Sequence, residues 1–252
     1  MAFDTSHLIS IGTTGCGKSF GEVLKIIEAA NEYPPIGICV VDPHKHSLAW
    51  QCLAHLVRHG HKKRIIWDSL DEIEHTPKYK FLARSRATHP LIRAKEHQEQ
   101  SENFAELLVR RQDESSLAGS PQKEEWTMKA TQLLLNQPVD YPASDLRYCL
   151  RPGHWKFDRL FREVTVEDVK FEFMGVANGS IKQGQYASSR RLIDAVCGSP
   201  SFIVRCGIFD IGKHLDRGGI LLVEGGGISQ PVLQTILGSI SLQVIQHARM
   251  RP

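Results

Sequence analysis

The 252-residue sequence lacks several features that would place it in common classes of protein. It has no run approaching the roughly 20 apolar residues of a membrane-spanning helix. Its first residues do not follow the pattern of a signal peptide. Its six cysteines include no C-x-x-C pair, which favours reduced thiols over a zinc site or a disulfide framework. Its net charge is only +3, so any case for nucleic-acid binding must rest on local clusters.

The sequence does contain a phosphate-binding motif near its start. The motif has the pattern G-x-x-x-x-G-K-[ST] and consists of Gly12, Thr13, Thr14, Gly15, Cys16, Gly17, Lys18 and Ser19. Its glycines allow several backbone N–H groups to converge on one anion. Lys18 is the expected contact and catalytic stabiliser of the β- and γ-phosphates, and the Ser19 hydroxyl is an expected Mg²⁺ ligand. With Phe20 after it, this segment predicts a site for the cofactors ATP and Mg²⁺.

Around the motif, the sequence predicts a strand, a loop, a helix and a second strand. Residues 7–11 form a short apolar run, and apolar residues then recur at helical spacing: Phe20, Val23, Leu24, Ile27 and Ala30. Residues 36–42 are apolar and end in a carboxylate, as in a buried parallel strand. Asp42 therefore lies where open α/β sheets bind ligands. It could sense Mg²⁺ or an ordered water beside the phosphates, or it could cap the next turn.

The pattern continues as an α/β core, with a helix at residues 48–57 and a strand at residues 65–68. From residue 77 to residue 200 it becomes mostly helical and polar. Helices are predicted at residues 102–111 and 124–137, and through Leu192, Ile193 and Val196.

The α/β pattern then resumes with a buried strand at residues 220–224, a glycine turn and a helix that begins near Pro231. The predicted buried stripe of that helix is Val232, Leu233, Ile236, Leu237, Ile240, Val244 and Ile245. The predicted core is therefore residues 1–76 and 201–252, and the helical insertion is residues 77–200.

Two motifs resemble a known family. Gly-Thr-Thr-Gly-Cys-Gly-Lys-Ser after one strand and Val-Val-Asp-Pro-His after the next are similar to the HerA–FtsK class of P-loop ATPases. Within it, the chain most resembles the coupling ATPases of type IV secretion and conjugation. The resemblance implies a three-layer, RecA/FtsK-like α/β core with a parallel sheet and an inserted helical domain. It also implies a motor that moves DNA, or a DNA–protein substrate, at a secretion or conjugation machine. Such a motor would be a homo-oligomeric ring, commonly a hexamer, located in the cytoplasm or at the inner face of the membrane.

The sequence departs from the family pattern in two places. Lys45 stands where the family usually has glycine. The family also has a later strand ending in Asp-Glu, which supplies an Mg²⁺-associated aspartate and a water-activating glutamate, and no such pair follows a suitable strand here. That strand would follow the helix ending near Arg249, so we expect a fragment of a larger architecture that binds ATP but hydrolyses it poorly alone. Glu224 could be the catalytic carboxylate, or a strand-end residue entering a glycine turn.

Other residues have both a functional and a structural interpretation. The basic loop at residues 58–64 is the best candidate for a contact to DNA or to an acidic partner. His44 and His46 could bind a metal, but no third ligand has suitable spacing, which favours a solvated loop. Trp126 and Trp155 could stack on bases, although their helical setting favours core packing. Three basic pairs could each be an arginine finger that acts on a neighbouring subunit, a contact to DNA phosphates, or a solvated face: Arg110 with Arg111, Arg190 with Arg191, and Arg249 with Arg251.

Two other functions remain open. One is a nucleotide-binding scaffold without turnover. The other is a P-loop kinase of another class, which would need an acidic base near the loop.

Overall fold

The computed structural model describes residues 18–110 and 121–249, and the structural statements below are confined to them. The helices are α1 (Lys18–Ala30), α2 (Leu48–Arg58), α3 (Pro90–Arg110), α4 (Pro121–Leu135), α5 (Trp155–Glu163), α6 (Glu167–Ala177), α7 (Ala187–Cys197), α8 (Pro200–Ile203), α9 (Ile211–Asp216) and α10 (Gln230–Arg249). The strands are β1 (Ile38–Asp42), β2 (Ile65–Ser69) and β3 (Ile220–Glu224). Within the described residues, no helix is both long enough and apolar enough to cross a membrane.

The described residues form two compact units. Residues 18–69 with Lys213–Gly226 make an α/β unit, and residues 70–110 and 121–212 with 227–249 make a helical unit. This grouping puts α10 in the helical unit, whereas the sequence assigned residues 201–252 to the ATPase core. The predicted domains stay a prediction. The described part of the predicted insertion, residues 77–110 and 121–200, contains no strand of the sheet.

The α/β unit contains a small open sheet of three parallel strands in the order β1–β3–β2. This confirms a mixed α/β fold with a parallel sheet. The last strand in the sequence lies at the centre, between the two strands that α2 connects. All five of its residues are buried, as expected for a strand with neighbours on both sides. The three-layer P-loop core stays a prediction.

One apolar core joins the sheet to α1 and α2. The sheet contributes Ile38 and Val40 from β1 and Ile220 and Leu222 from β3, all on the same face. The helices contribute the apolar residues Val23, Ala30, Ala49, Cys52 and Leu56, all buried. Full burial of one aliphatic side chain stabilises a fold by about 1.5–3 kcal/mol, so this core holds both helices on the sheet.

The predicted stripe of α1 is only partly correct. Val23 and Ala30 are buried, but Phe20 is 63% exposed and Leu24 is 47% exposed. A single buried stripe on a helix covers a limited arc, so these two residues fall outside the part of α1 that faces the sheet.

The helical unit contains the other predicted helices, with two corrections. The helix predicted at residues 102–111 begins at Pro90, twelve residues earlier than expected. Its first half is rich in Glu, Gln, Lys and Ala, which favour a helix without an apolar period. In α10, Ile245 is 45% exposed and Val244 is only partly buried, so the buried stripe ends near Ile240.

His97 is a buried polar side chain of the helical unit, with 2% of its surface exposed. Its Nε2 lies 2.9 Å from the backbone nitrogen of Ser85 and accepts that N–H. Its Nδ1 lies 2.8 Å from Oδ1 of Asn136, to which it donates. Both ring nitrogens are satisfied only in the neutral form. The pKa of His97 is lowered below its usual range, and burial of the ring is the largest cause of that shift.

Candidate functional site

Three polar side chains line up where the strands of the sheet end. In the register of the sheet, Asp42 of β1 and Ser69 of β2 both lie opposite Glu224 of β3. Neighbouring parallel strands are about 4.8 Å apart, and residues in register point to the same face. The carboxyl edge of the sheet therefore carries two carboxylates and a hydroxyl in one row, on the face that α1 and α2 cover.

Asp42 is buried, with 4% of its surface exposed, and both of its carboxylate oxygens accept hydrogen bonds. Oδ1 accepts from the backbone N–H of His44 at 3.0 Å, and Oδ2 accepts from the backbone N–H of Ala49 at 3.1 Å. Ala49 is the second residue of α2, so Asp42 caps this helix from outside it. Ser47, at the N-cap position itself, makes no side-chain capping bond. The capping role considered for Asp42 is thus present in the structure.

The charge of Asp42 also acts on a neighbouring thiol. Burial, followed by the negative charge of Asp42, raises the pKa of Cys52 to about 12. A thiol with this pKa stays protonated near neutral pH and behaves as an apolar core residue.

Glu224 is more deeply buried than Asp42, with 1% of its surface exposed. Its Oε1 accepts the backbone N–H of His46, and its Oε2 accepts the hydroxyl of Ser69 at 3.2 Å. The His46 ring nitrogen Nδ1 lies 3.8 Å from Oε1, close enough for an ion pair when that ring is protonated. Glu224 therefore ties the loop after β1 to the end of β2. The sequence offered a strand-end residue entering a glycine turn as the alternative to catalysis, and it did not predict these two contacts.

The backbone after Glu224 is tightly fitted to the same loop. The N–H of Gly225 donates to the carbonyl of Asp42 at 2.6 Å. A side chain at position 225 would collide with the backbone of Pro43, so only glycine fits there. On the other side of this contact, His46 adopts a left-handed conformation with φ of 53°. The positive φ thus falls one residue after Lys45.

The loop between β1 and α2 is exposed at its tip. His44, Lys45 and His46 are all solvent-exposed, and no group of three metal-ligating side chains occurs in the described part of the chain. His46 packs edge-on against Trp50 with ring centroids 5.5 Å apart, and Trp50 packs in the same way on Trp67 at 5.8 Å. Trp50 remains 47% exposed. A partly open aromatic surface thus lies beside the row of polar side chains.

The phosphate-binding motif itself lies mostly outside the described residues. Residues 12–17 are not described, and Lys18 and Ser19 are described only as the first residues of α1. α1 follows the motif in the chain, as the helix after such a loop should. The predicted strand at residues 7–11 also lies outside the described residues.

The basic loop at residues 58–64 contains one residue with a clear structural role. The Arg64 guanidinium donates to three backbone carbonyls: Gly218 at 2.6 Å, Ala30 at 2.7 Å and Ile36 at 2.9 Å. These carbonyls belong to the end of α1 and to the segments that enter β1 and β3. The loop enters β2, so it lies at the amino edge of the sheet, opposite the row of polar side chains. Arg58, Lys62 and Lys63 are exposed.

The two tryptophans that the sequence singled out in the helical unit differ. Trp126 is 5% exposed and packs edge-on against Phe173, with ring centroids 6.3 Å apart, as the core interpretation predicted. The same interpretation is wrong for Trp155, which is 62% exposed. Trp155 is the first residue of α5, where no preceding helical turn covers its ring.

Sequence reasoning missed Ser69 and Trp67 as members of the site. Both lie on β2 with their side chains on the same face as Glu224. One feature of the sequence could have identified Ser69. The apolar run at residues 65–67 stops just before it, which places Ser69 at the end of the strand.

Comparison of the chain with models of known protein families, with curated proteins and with solved structures found no match.

Proposed function

We propose that this chain is the ATP-binding part of a motor ATPase that moves DNA, or a DNA–protein substrate, in conjugation or type IV secretion. The observation that carries the proposal is the order of features along the chain. The sequence Gly12 to Ser19 leads directly into α1, and β1 then ends in the buried Asp42 at the carboxyl edge of a parallel sheet. This is the context in which such loops bind nucleoside triphosphates.

In this proposal, the chain's residues divide the work of binding. The loop amides and Lys18 would hold the phosphates, and the Ser19 hydroxyl would hold Mg²⁺. Asp42 already accepts one hydrogen bond on each oxygen, and each oxygen retains a second lone pair. It could therefore support an Mg²⁺-bound water while it keeps α2 in place.

The contacts of Glu224 favour binding with slow turnover. A general base must lie within hydrogen-bond reach of the attacking water. Glu224 instead holds the His46 backbone and the Ser69 hydroxyl from a position with 1% exposure. This supports the expectation that the chain hydrolyses ATP poorly alone, and it is the observation that favours the alternative of a nucleotide-binding scaffold without turnover. A partner subunit in a ring would supply what is missing.

Calorimetry with ATP and Mg²⁺ tests the binding step. Lys18→Ala removes a charge-assisted contact to phosphate and should weaken binding by about 2–3 kcal/mol, or roughly 30- to 150-fold in Kd. Lys25→Ala is the matched control, because Lys25 lies on the same helix and pairs with the neighbouring Glu22 at 3.2 Å. Equal affinities for the two variants would contradict the proposal.

Steady-state phosphate release, with and without DNA, tests the turnover step. The unmodified chain should release phosphate slowly, and Glu224→Gln should change that rate little. Rapid release that Glu224→Gln abolishes would instead identify Glu224 as the catalytic carboxylate and the chain as a complete enzyme.

A further inference from the structure

The helical unit contains a cavity of about 490 Å³. Its walls come from three parts of that unit: the extended segment at residues 80–87, one face of α3 and one face of α10. This volume lies within the range of about 300–1,000 Å³ that is usual for small-molecule sites. The cavity shares no residue with the site on the α/β unit.

The cavity has an apolar floor. Phe81, Leu82, Phe104 and Leu107 line it, and each has less than a tenth of its surface exposed. Phe81 is held in place by stacking on Phe202, with ring centroids 5.0 Å apart. Such a floor would bind the flat or aliphatic part of a ligand through the hydrophobic effect.

Neutral hydrogen-bonding groups stand above this floor. Gln100 and Asn103 on α3 and Ser239, Gln243 and Gln246 on α10 all line the cavity. One of these groups is already used, because Oε1 of Gln100 accepts the backbone N–H of Ala83 at 3.2 Å.

Two of the groups on α10 are buried without a partner. Ser239 is 3% exposed, and its hydroxyl has no hydrogen-bond partner among the described residues. The amide nitrogen Nε2 of Gln243 is also buried and has none there. The two residues are four apart on one helix, so they present their donors on the same face. A buried donor without an acceptor costs about 1–3 kcal/mol, which a bound acceptor would recover.

The charges around the cavity favour a neutral ligand over an ionic one. Lys80 is paired with Asp140 at 2.7 Å, and Arg84 donates to the backbone carbonyl of Pro138. Asp210 and His247 also have interaction partners. Arg86 and Glu96 complete the charged lining and have opposite signs. Within the described residues, the buried atoms of the lining that lack a partner are both neutral, the Ser239 hydroxyl and the Gln243 amide nitrogen.

We propose that this cavity binds a compact neutral ligand that carries an amide or lactam edge and is recognised through the C=O group of that edge. The carbonyl accepts from Gln243 Nε2 and the Ser239 hydroxyl, and the apolar part of the ligand lies on Phe104 and Leu107. Both a nucleobase and a peptide bond present this edge.

The test is a calorimetric titration of the full chain with two probes, uridine and N-acetylleucine methylamide. It is carried out without ATP, and again in Lys18→Ala, so that binding at the phosphate loop cannot contribute. Either probe should bind, and the one that binds more tightly identifies the source of the edge. Gln243→Leu and Ser239→Ala should each weaken binding by about 2- to 10-fold, the value of one neutral hydrogen bond.

Gln234→Leu is the matched control. Gln234 lies on the same helix, is partly buried like Gln243 and also has a buried amide atom without a partner, but it does not line the cavity. This variant should bind the probes as tightly as the unmodified chain. Thermal unfolding checks that the variants fold, since removing an unpaired donor should leave stability unchanged or higher. Failure of both probes to bind, or equal weakening by Gln234→Leu and Gln243→Leu, would overturn the proposal.

Discussion

Replacing Asp42 by asparagine should destabilise the α/β unit more than removing the side chain at the N-cap position of α2. Asp42 accepts the N–H groups of His44 and Ala49 at 3.0 and 3.1 Å. Asparagine keeps one acceptor oxygen but turns an NH₂ group towards one of these donors, and it removes the negative charge from the N-terminus of α2.

The magnitude follows from the bond that is lost. A hydrogen bond to a charged group contributes about 1.5–3 kcal/mol, and the charge at the helix end about 0.3–1 kcal/mol. We therefore expect Asp42→Asn to lower the free energy of unfolding of the α/β unit by about 2–4 kcal/mol. Ser47→Ala should cost less than about 0.5 kcal/mol, because the Ser47 side chain makes no capping bond.

The assay must separate the two compact units. Labelling with 5-fluorotryptophan provides this in urea titrations, because Trp50 and Trp67 belong to the α/β unit and Trp126 and Trp155 to the helical unit. The ¹⁹F signals of Trp50 and Trp67 should report the loss of stability in Asp42→Asn. If Ser47→Ala costs as much as Asp42→Asn, the capping argument is refuted.

The same variant distinguishes the two roles considered for Asp42. If Asp42 supports Mg²⁺, the loss of ATP affinity in Asp42→Asn should be larger with Mg²⁺ than with a chelator. An equal loss in both conditions would leave capping as its role.

The remaining predictions concern His97 and Arg64. The pKa of His97 is lowered in the folded chain, so the unfolded chain binds the proton more tightly. The stability from neutral His97 should be fully present above the unfolded pKa of about 6.5 and be lost as the pH falls through that value towards the lower folded pKa. When the pH is lowered from roughly 7 to roughly 5, the urea midpoint of His97→Gln should therefore fall less than that of the unmodified chain. Equal falls in the two midpoints would contradict this. Arg64→Lys should lower the stability of the α/β unit by about 2–4 kcal/mol, because an ammonium cannot serve three diverging carbonyls as a guanidinium does. The exposed Arg58→Lys is its control, and equal urea midpoints for the two variants would show that the three carbonyl contacts contribute nothing.

Local pattern accounts for most of the elements that form. The apolar runs at residues 36–42, 65–68 and 220–224 correspond to β1, β2 and β3, and α1 ends at Ala30, the last residue of its predicted apolar stripe. The pattern was less useful for α3, because the first half of that helix has no apolar period and forms from residues with high helix propensity. It was also insufficient for Trp155, because helical setting does not say whether a neighbour covers a side chain.

The sequence predicted only part of the chemistry of the candidate site. The sequence placed Asp42 and Glu224 at strand ends, which is a consequence of where each apolar run stops. It did not show that Ser69 joins them, or that Arg64 holds backbone carbonyls at the other edge of the sheet. The Ser69–Glu224 and Arg64–Gly218 contacts join residues more than 150 positions apart, and no local period reports them.

By itself, the sequence determined the phosphate-binding motif, the apolar strands and the carboxylates at their ends, because each depends on residues close together in the chain. Only the tertiary structure decided that β3 lies between β1 and β2. That choice is made by hydrogen bonds and side-chain packing between distant segments. The fully apolar run from Ile220 to Val223 suits a central strand, but the register that brings Asp42, Glu224 and Ser69 into one row exists only once the three strands have paired. The cavity between α3 and α10 depends in the same way on helices far apart in the chain.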